Sequence, residues 1–398
     1  MRTIVNVWFA GRFTKIDEGL LSWVKVLLLQ QKKIMSQEST NIQVSDWLHI
    51  KEQPFVISGP CSAESEEQVM VTARELRKIE QVKIFRAGIW KPRTRPGEFE
   101  GIGIQGLKWL QKVKAETGFL ITTEVANPTH IEQALKHGID ILWIGARTVV
   151  NPFSVQELSD ALHGVDIPVM IKNPLTPDLK LWIGAIERFY SAGITQVAAI
   201  HRGFHYFNRS PYRNAPMWEI PIELKRLIPS LPVITDISHI CGRRDLLQDV
   251  AQKALDLETN GLMIESHIHP DKALTDAAQQ LSPGALANML SKLVIRKYTG
   301  SIEFEHHLEK LRSEIDKLDV ELIQLLAKRM EVIEEIGDYK KENNITILQL
   351  KRWQHIIEDR LAIGTSLGLD PAFLLSMLEL VHEASIQRQT QIFNTNKP

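Results

Sequence analysis

From residue 55 to residue 268 the chain repeats one device eight times: a short β-rich apolar run, then an amphipathic helical stretch. The runs occupy 55–61, 83–89, 119–125, 141–146, 168–173, 196–203, 233–240 and 261–268, with starts 28, 36, 22, 27, 28, 37 and 28 residues apart. Helical periodicity fills the gaps, for example over 66–79, 129–137 and 245–259. A strand that is apolar at nearly every position must be covered on both faces, and a parallel sheet sheathed in helices supplies that cover. Eight such units within 55–297 fit an α/β fold of the (β/α)8 barrel type better than an open, doubly wound sheet.

The ends of the runs point the same way. Cys61, Arg86 with Lys91 and Arg93, Glu124, Arg147, Lys172, His201 with Arg202, Asp236 with His239, and Glu265 stand at or just beyond C-terminal ends. In a barrel those ends and their loops converge on one face, where active sites are built. Charges with a surface role alone would fall on the helices instead. Five cations gathered there, Arg86, Lys91, Arg147, Lys172 and Arg202, would repel one another unless a ligand brought several negative charges, such as phosphates and a carboxylate. The turn Lys91-Pro92-Arg93-Thr94 adds donors for a second phosphate. Cys61, His239, Glu265 and Asp276 offer mixed S, N and O donors, a set suited to a borderline divalent transition ion with open positions. Singly, each has a plainer reading, since a lone buried cysteine packs and a lone histidine is hydrogen-bonded core.

Two motifs mislead. Gly101-Ile102-Gly103-Ile104-Gln105-Gly106 fits G-x-G-x-x-G, but 93–100 separates it from the preceding strand, which argues against dinucleotide binding. His267 and His269 suggest a metallohydrolase barrel, yet they lie on the eighth run, where alternation puts His267 on the Glu265 face as a supporting residue. Cys241, near His239, reads as packing.

Composition narrows the partners. Lys+Arg 47 against Asp+Glu 48 leaves a formal charge of -1, which gives no support to nucleic acid or a polybasic membrane surface. No apolar run approaches the roughly 18 residues of a membrane span. Two cysteines make no disulfide framework and favour a reducing, cytoplasmic location. The stretch 20–29 is hydrophobic, but Lys25 interrupts it, and Asp17 and Glu18 stand where a secretory leader is basic. Met35 precedes a polar stretch, so the native start is expected there, with 1–34 an upstream in-frame extension.

With these residues assembled, 55–297 resembles 3-deoxy-D-arabino-heptulosonate 7-phosphate (DAHP) synthase, in the subgroup related to KDO-8-phosphate synthases. The likeness rests on Gly59-Pro60-Cys61-Ser62-Ala63-Glu64-Ser65, Arg86-Ala87-Gly88-Ile89-Trp90-Lys91-Pro92-Arg93-Thr94, Ile144-Gly145-Ala146-Arg147, Ile171-Lys172, His201-Arg202-Gly203, Asp236 with His239, Glu265 and Thr275-Asp276. It implies a divalent metal ion (Mn2+, Fe2+, Co2+ or Zn2+) on Cys61, His239, Glu265 and Asp276. It implies phosphoenolpyruvate on Arg147, Lys172 and Arg202 with Arg86 and Lys91 nearby, and erythrose 4-phosphate on Lys91, Arg93 and Thr94. Lys91 is the expected proton donor to the new hydroxyl. Arg95 departs from the small polar residue expected after Thr94.

After Tyr298-Thr299-Gly300-Ser301-Ile302 the period changes. Leu308, Leu311, Ile315, Leu318, Leu322 and Leu325 step by 3, 4, 3, 4 and 3, a helical packing seam. The same steps continue to Arg329, Val332, Ile336 and Tyr339, so Arg329 points into the seam. A seam arginine is costly unless paired, which suggests an anionic ligand. Lys340 lies about 20° from Arg329 around the helix, whereas Arg312 lies about 260° away and so serves a site on another helix or another subunit. Two more helices are expected over 349–363 and 371–391, the second capped by Asp370 with Pro371 at its first position. Ser385 and Gln389 share one face of it. A plain dimerisation bundle with snorkelling cations is the simpler reading.

Residues 303–391 resemble the all-helical chorismate mutases through Leu311-Arg312-Ser313-Glu314-Ile315-Asp316, Leu326-Ala327-Lys328-Arg329, Gly337-Asp338-Tyr339-Lys340, Arg352, Ser385 and Gln389. The resemblance implies an all-α three-helix domain in which Arg329, Lys340, Arg352, Ser385 and Gln389 contact chorismate. Arg312 would come from the other subunit of an intertwined homodimer. Gln349 stands where an acidic residue is usual, and Trp353 replaces a Glu or Gln that would meet the substrate hydroxyl.

The chain thus divides into an N-terminal extension (1–54), a barrel (55–297), a linker (298–302) and a helical domain (303–398). The expected protein is a bifunctional enzyme of aromatic amino-acid biosynthesis that makes DAHP and converts chorismate to prephenate. The alternative keeps the synthase and makes the helical domain only a dimerising sensor for chorismate or prephenate. A chain that binds without catalysing is the third reading. Fusion makes coupling between the sites thermodynamically available. A ligand of the helical site is therefore expected to inhibit the barrel, and synthase rates unmoved by saturating prephenate would count against it.

Overall fold

The computed structural model describes Ile42 and residues 54–91, 97–207, 210–296 and 300–394. Arg93, Thr94 and Arg95, the expected start at Met35, and linker residues 298–299 lie outside the described residues. The chain divides into two compact units, Met1–Arg296 and Lys297–Pro398.

In the first unit eight strands close into a barrel: β1 (Phe55–Gly59), β2 (Val82–Arg86), β3 (Leu120–Val125), β4 (Ile141–Ile144), β5 (Val169–Lys172), β6 (Val197–His201), β7 (Val233–Asp236) and β8 (Gly261–Glu265). Each pairs in parallel with its sequence neighbour, and β8 returns to β1. Alternation divides the strand residues between two cores. Phe55, Ile57, Ile84, Ile141, Trp143, Met170, Ala198, Ile200, Ile234 and Met263 fill the barrel interior. Their neighbours, among them Val56, Phe85, Leu142, Ile171, Ala199, Val233 and Ile264, pack outward with the helices. Both faces are dry, which is why the strands read as apolar without interruption. Ile42, assigned from sequence to the extension, packs into this outer core.

The surrounding helices are α1 (Glu66–Arg77), α2 (Ile104–Thr117), α3 (Pro128–Lys136), α4 (Ala146–Val149), α5 (Pro152–Ala161), α6 (Leu179–Ser191), α7 (Glu219–Leu227), α8 (Ile237–Cys241), α9 (Leu247–Asp256) and α10 (Pro283–Leu290). Six of them start at a side chain that accepts a first-turn amide: Ser65, Asn127, Asn151, Asp178, Asp236 and Ser282. Each such cap contributes about 1 kcal/mol. The strands stop earlier than the apolar runs, because 146–149 and 237–241 turn at once into α4 and α8. Arg147 and His239 therefore ride on short helices rather than on strand ends.

The second unit is three helices, α11 (Ile302–Glu342), α12 (Leu350–Ser366) and α13 (Pro371–Asn394). Gly337 lets α11 and α13 approach closely: a Cβ there would lie 2.8 Å from Ile392 Cδ1 and 3.3 Å from Gln389 Cγ. Gly364 does the same for α12 against Leu374 of α13. The expected seam does not close within one chain, since Ile315, Leu318, Leu322 and Leu325 are 56%, 62%, 51% and 65% exposed. Among the described residues no helix is long and apolar enough to cross a membrane.

Candidate active sites

The parity that fills the barrel interior continues into its polar rim. Two residues beyond Ile84, Met170, Ile200, Ile234 and Met263 stand Arg86, Lys172, Arg202, Asp236 and Glu265, and four beyond Ile57 stands Cys61. A strand that points an apolar side chain inward at one position points inward again two later. The barrel therefore delivers one reactive group after another to its C-terminal mouth.

At the β1 and β8 side a donor cluster forms. Ligand atoms of Cys61, Glu265 and Asp276 lie within 4.8 Å of one another. His239 Nε2 is 3.7 Å from Glu265 Oε1 and 3.9 Å from Asp276 Oδ2, which brings the fourth expected residue to the same place. Cys61 Sγ lies 3.5 Å from Asp276 Oδ2, and Lys91 Nζ donates to it at 3.2 Å. Burial and the adjacent Glu265 push the Cys61 thiol up to about 12. Burial also pushes the Asp276 carboxyl up, but the charges of His239 and Arg213 prevail and hold it at about 2. Burial lowers the His239 imidazole in spite of Asp236, whose Oδ2 lies 2.8 Å from Nδ1. Glu265 Oε1 is buried without a hydrogen bond, although Arg86 Nη2 stands 3.3 Å away.

The cations are less exposed to mutual repulsion than a count of them suggests. Lys172 Nζ donates to Asp236 Oδ2 at 3.0 Å, and Arg86 lies against Glu265, so part of their compensation is built in. The rest is open. Arg86 is buried over the face of Trp143, 4.9 Å from guanidinium carbon to ring centre, with Nε and Nη1 unpartnered. Arg202 is buried, donates to Asn214 Oδ1 at 2.7 Å, and is pushed down to about 10 by desolvation. Arg147 stands exposed on α4. Lys91 reaches inward over Gly88, where a Cβ would lie 2.5 Å from the lysine Nζ.

Three participants have no counterpart in the sequence reading. Arg213 Nη1 lies 3.0 Å from Asp276 Oδ1 and donates to Gln279 Oε1 at 2.8 Å. Gln279 Nε2 donates to Glu265 Oε2 at 2.7 Å, and Gln280 Oε1 accepts the Cys61 amide at 3.0 Å. Neutral amides in a loop carry no periodic signal, and only the adjacent pair Gln279-Gln280 could have flagged them. The misleading motifs resolve plainly. Gly101 and Gly103 have positive φ and turn the chain against Ile89 ahead of α2, while Cys241 is buried and pushed up to about 12 by burial. β8 ends at Glu265, Ser266 bridges to Leu281, and His267 Nε2 comes 3.6 Å from Glu64 Oε2.

In the helical unit Arg329 Nη1 donates to Ser385 Oγ at 2.7 Å. Ser385 and Gln389 are buried between α11 and α13, and Gln389 Oε1 has no hydrogen-bond partner. Lys340 Nζ donates to the Ile347 carbonyl at 2.6 Å. Partial burial lowers both Arg329 and Lys340, and His382 is lowered by burial and by those two cations. Arg329 is thus not shut inside a seam: in one chain it remains exposed, with Nη1 on Ser385. Trp353 stacks on His382, ring centres 3.8 Å apart, which ties α12 to α13 beside these groups. Arg352 and Arg312 are exposed, and Arg312 lies 3.8 Å from Glu309.

Residues 37–299 match the DAHP synthetase I family, and residues 311–390 match chorismate mutase type II. A phospho-2-dehydro-3-deoxyheptonate aldolase from Thermotoga maritima is 32% identical over 288 residues, which are 70% of this chain and 82% of that protein. A 2-dehydro-3-deoxyphosphooctonate aldolase from Pseudomonas putida is 26% identical over 259 residues, 60% of this chain and 89% of that one. The solved structure of the Thermotoga maritima phospho-2-dehydro-3-deoxyheptonate aldolase (DAHP synthase) superposes with a TM-score of 0.56 at 27% identity, covering 63% of this chain and 72% of that one.

Proposed function

The chain belongs to the DAHP synthetase I family and carries a chorismate mutase type II domain behind the barrel, and on that premise we propose how its residues serve two reactions of aromatic amino-acid biosynthesis. The barrel condenses phosphoenolpyruvate with erythrose 4-phosphate. The helical unit rearranges chorismate to prephenate. The observation that carries the first reading is the buried Arg86, with Nε and Nη1 unpartnered, beside a mixed donor cluster, the one suited to an anion and the other to a cation.

The donors fit a divalent transition ion. Cys61, Glu265 and Asp276 are anionic or ionisable to anions, largely buried, and leave Glu265 Oε1 without a hydrogen bond. A thiol pushed upward by carboxylates is relieved when a metal takes its proton's place. Cys61, His239, Glu265 and Asp276 would hold Mn2+, Fe2+, Co2+ or Zn2+, which when bound supplies Lewis-acid polarisation of the aldehyde.

Arg147, Lys172 and Arg202, with Arg86, hold the phosphate and carboxylate of phosphoenolpyruvate and offset their charge. Lys91, Arg93 and Thr94 take erythrose 4-phosphate. C3 of phosphoenolpyruvate bonds to the aldehyde carbon, whose oxygen takes a proton from Lys91 Nζ. Water adds at C2, and loss of phosphate leaves the ketone, so phosphoenolpyruvate, erythrose 4-phosphate and water become DAHP and phosphate. A free Cys61 is needed throughout, which supports a reducing, cytoplasmic location.

In the helical unit the rearrangement needs no nucleophile, only a dicarboxylate held in a chair-like conformer. Arg329, Arg352 and Ser385 contact the carboxylates and hydroxyl side of chorismate. Lys340 and Gln389 stabilise charge developing on the ether oxygen. The exposed seam of α11 supports a homodimer in which Arg312 of one chain completes the site of the other. A purely sensory role for this unit is not favoured, since residues 311–390 match chorismate mutase type II.

The test is a paired assay on intact protein with and without a chelator. Phosphate release from phosphoenolpyruvate with erythrose 4-phosphate should stop on chelation, while loss of chorismate absorbance should continue. Metal-independent synthase turnover would overturn the donor assignment, and absence of chorismate turnover would restore the sensor reading.

A further inference from the structure

Arg213 and Gln279 lie outside the donor cluster yet touch its carboxylates. Arg213, in the loop between β6 and α7, places Nη1 3.0 Å from Asp276 Oδ1 and 2.8 Å from Gln279 Oε1. Gln279, wholly buried, turns its Nε2 to Glu265 Oε2 at 2.7 Å and to Asp276 Oδ2 at 3.4 Å. One guanidinium and one amide thus link the carboxylates of β8 and of the loop after it. The linkage is directional. Arg213 fixes the glutamine oxygen, so the glutamine nitrogen must face the carboxylates.

Two backbone features depend on this arrangement. Asp276 has φ +49°, the left-handed region that a non-glycine residue enters at a cost, and its side chain is held on both oxygens. Gly242, with φ +68°, closes α8 just after His239, and a Cβ there would lie 2.5 Å from Arg213 Cβ. Absence of that atom lets the Arg213 stem pass. Arg213, Gly242, Asp276 and Gln279 also line an open cavity of about 420 Å³.

We propose that Arg213 and Gln279 are positioning residues for the metal-binding carboxylates, fixing Glu265 and Asp276 in the orientation that turns Glu265 Oε1 and Asp276 Oδ2 toward a divalent transition ion. This deepens the metal-site reading above and rests on it. Groups that hold a ligand from behind typically change metal affinity by about 10–100-fold when removed. Arg213 also brings a positive charge close to the ion. Its loss should therefore weaken binding less than that of Gln279, because the lost orientation and the relieved repulsion oppose each other.

The experiment titrates full-length, metal-free protein with Co2+, read by the thiolate-to-cobalt absorption in the near ultraviolet and the ligand-field bands in the visible. Wild type should show a charge-transfer band that Cys61→Ala abolishes. Arg213→Ala and Gln279→Leu should keep that band but bind Co2+ more weakly, by about 10-fold and up to about 100-fold respectively, with shifted ligand-field bands. Circular dichroism and the melting temperature of the same samples verify that the barrel is folded. Should the buried Gln279→Leu fail to fold, the half-exposed Arg213→Ala decides alone. Co2+ affinity within threefold of wild type together with unshifted visible bands overturns the proposal and leaves the metal site standing. Absence of a Cys61-dependent band in wild type overturns the site, and the proposal falls with it.

Discussion

Replacing Asp236 by asparagine removes one charge and little volume, at the point where three functional groups meet. Its Oδ2 lies 3.0 Å from Lys172 Nζ and 2.8 Å from His239 Nδ1, and Oδ1 accepts the His239 amide that starts α8. Burial pushes this carboxyl up, but His239 and Lys172 hold it well below the usual range, so it is an anion at working pH. The Lys172 side chain is 6% exposed, too buried to find water as a substitute. Stranding one member of a buried pair costs about 3–5 kcal/mol. The asparagine oxygen still accepts one hydrogen bond, which places the cost near 3 kcal/mol. At about 2–4 °C per kcal/mol for a unit of this size, the melting temperature of the barrel falls by roughly 6–12 °C. Scanning calorimetry of the full chain measures it. The source of the loss is checked by adding Lys172→Met. With no charge left to strand, the double variant should melt above Asp236→Asn alone. A single variant melting within 2 °C of wild type, or a double variant melting below the single, would refute the assignment of Asp236 as the buried counter-ion.

The remaining predictions concern different parts of the chain. Burial pushes His201, whose Nε2 lies 2.6 Å from the Pro216 carbonyl, down to about 4. The unfolded chain then takes up a proton first as pH falls below about 6.5, and stability is lost between there and pH 4 by up to roughly 3 kcal/mol. His201→Gln should flatten stability against pH in that window, and an unchanged slope would sink the argument. Arg329→Ala would remove the charged contact to a chorismate carboxylate proposed above, which costs about 1.5–3 kcal/mol, so chorismate kcat/KM should fall roughly 10- to 150-fold with synthase turnover unchanged. Leu318→Lys with Leu325→Lys places two charges in the exposed seam of α11. Sedimentation should then show a chain of half the wild-type mass, and mutase activity should drop with it, whereas an unaltered mass would exclude that face as the dimer contact.

The barrel was legible because its strands obey one rule on both sides of the polar boundary. Ile84 before Arg86, Met170 before Lys172, Ile200 before Arg202, Ile234 before Asp236 and Met263 before Glu265 are all inward positions, and the sequence shows them two apart. What the rule cannot carry is anything beyond the strand. His267 lies beyond the end of β8, where Ser266 bridges to Leu281, and the approach of its Nε2 to Glu64 Oε2 at 3.6 Å is announced by no count along the strand. Arg147 and His239 reached the rim on helical turns that the apolar runs concealed. The count of cations overstated the unmet charge because pairing depends on neighbours in space. Lys172 and Asp236 are 64 residues apart, and no local pattern announces their contact. Gln279 was invisible for the same reason, its partners being Arg213, Glu265 and Asp276.

The helical unit fails in the opposite direction, and the failure is informative. Its 3–4 spacing is as regular as any pattern in the chain, yet Ile315, Leu318, Leu322 and Leu325 stay more than half exposed. Periodicity states that a face will be buried without stating what buries it. In the barrel every such face finds cover in the same chain, because strand and helix alternate and each supplies the other's lid. Here α13 covers the face of α11 that carries Gly337, and no described helix of this unit closes over the seam. Arg312 occupies neither covered face: it lies about 260° from Arg329, too far around to share its contact with Ser385. An apolar seam without a lid and an arginine turned away from its own pocket have one economical solution, a second copy of α11 laid along the first. In the homodimer proposed above such a pairing would bury the seam and bring Arg312 to the partner's site, so separating the chains should cost the mutase its catalysis as well as its fold.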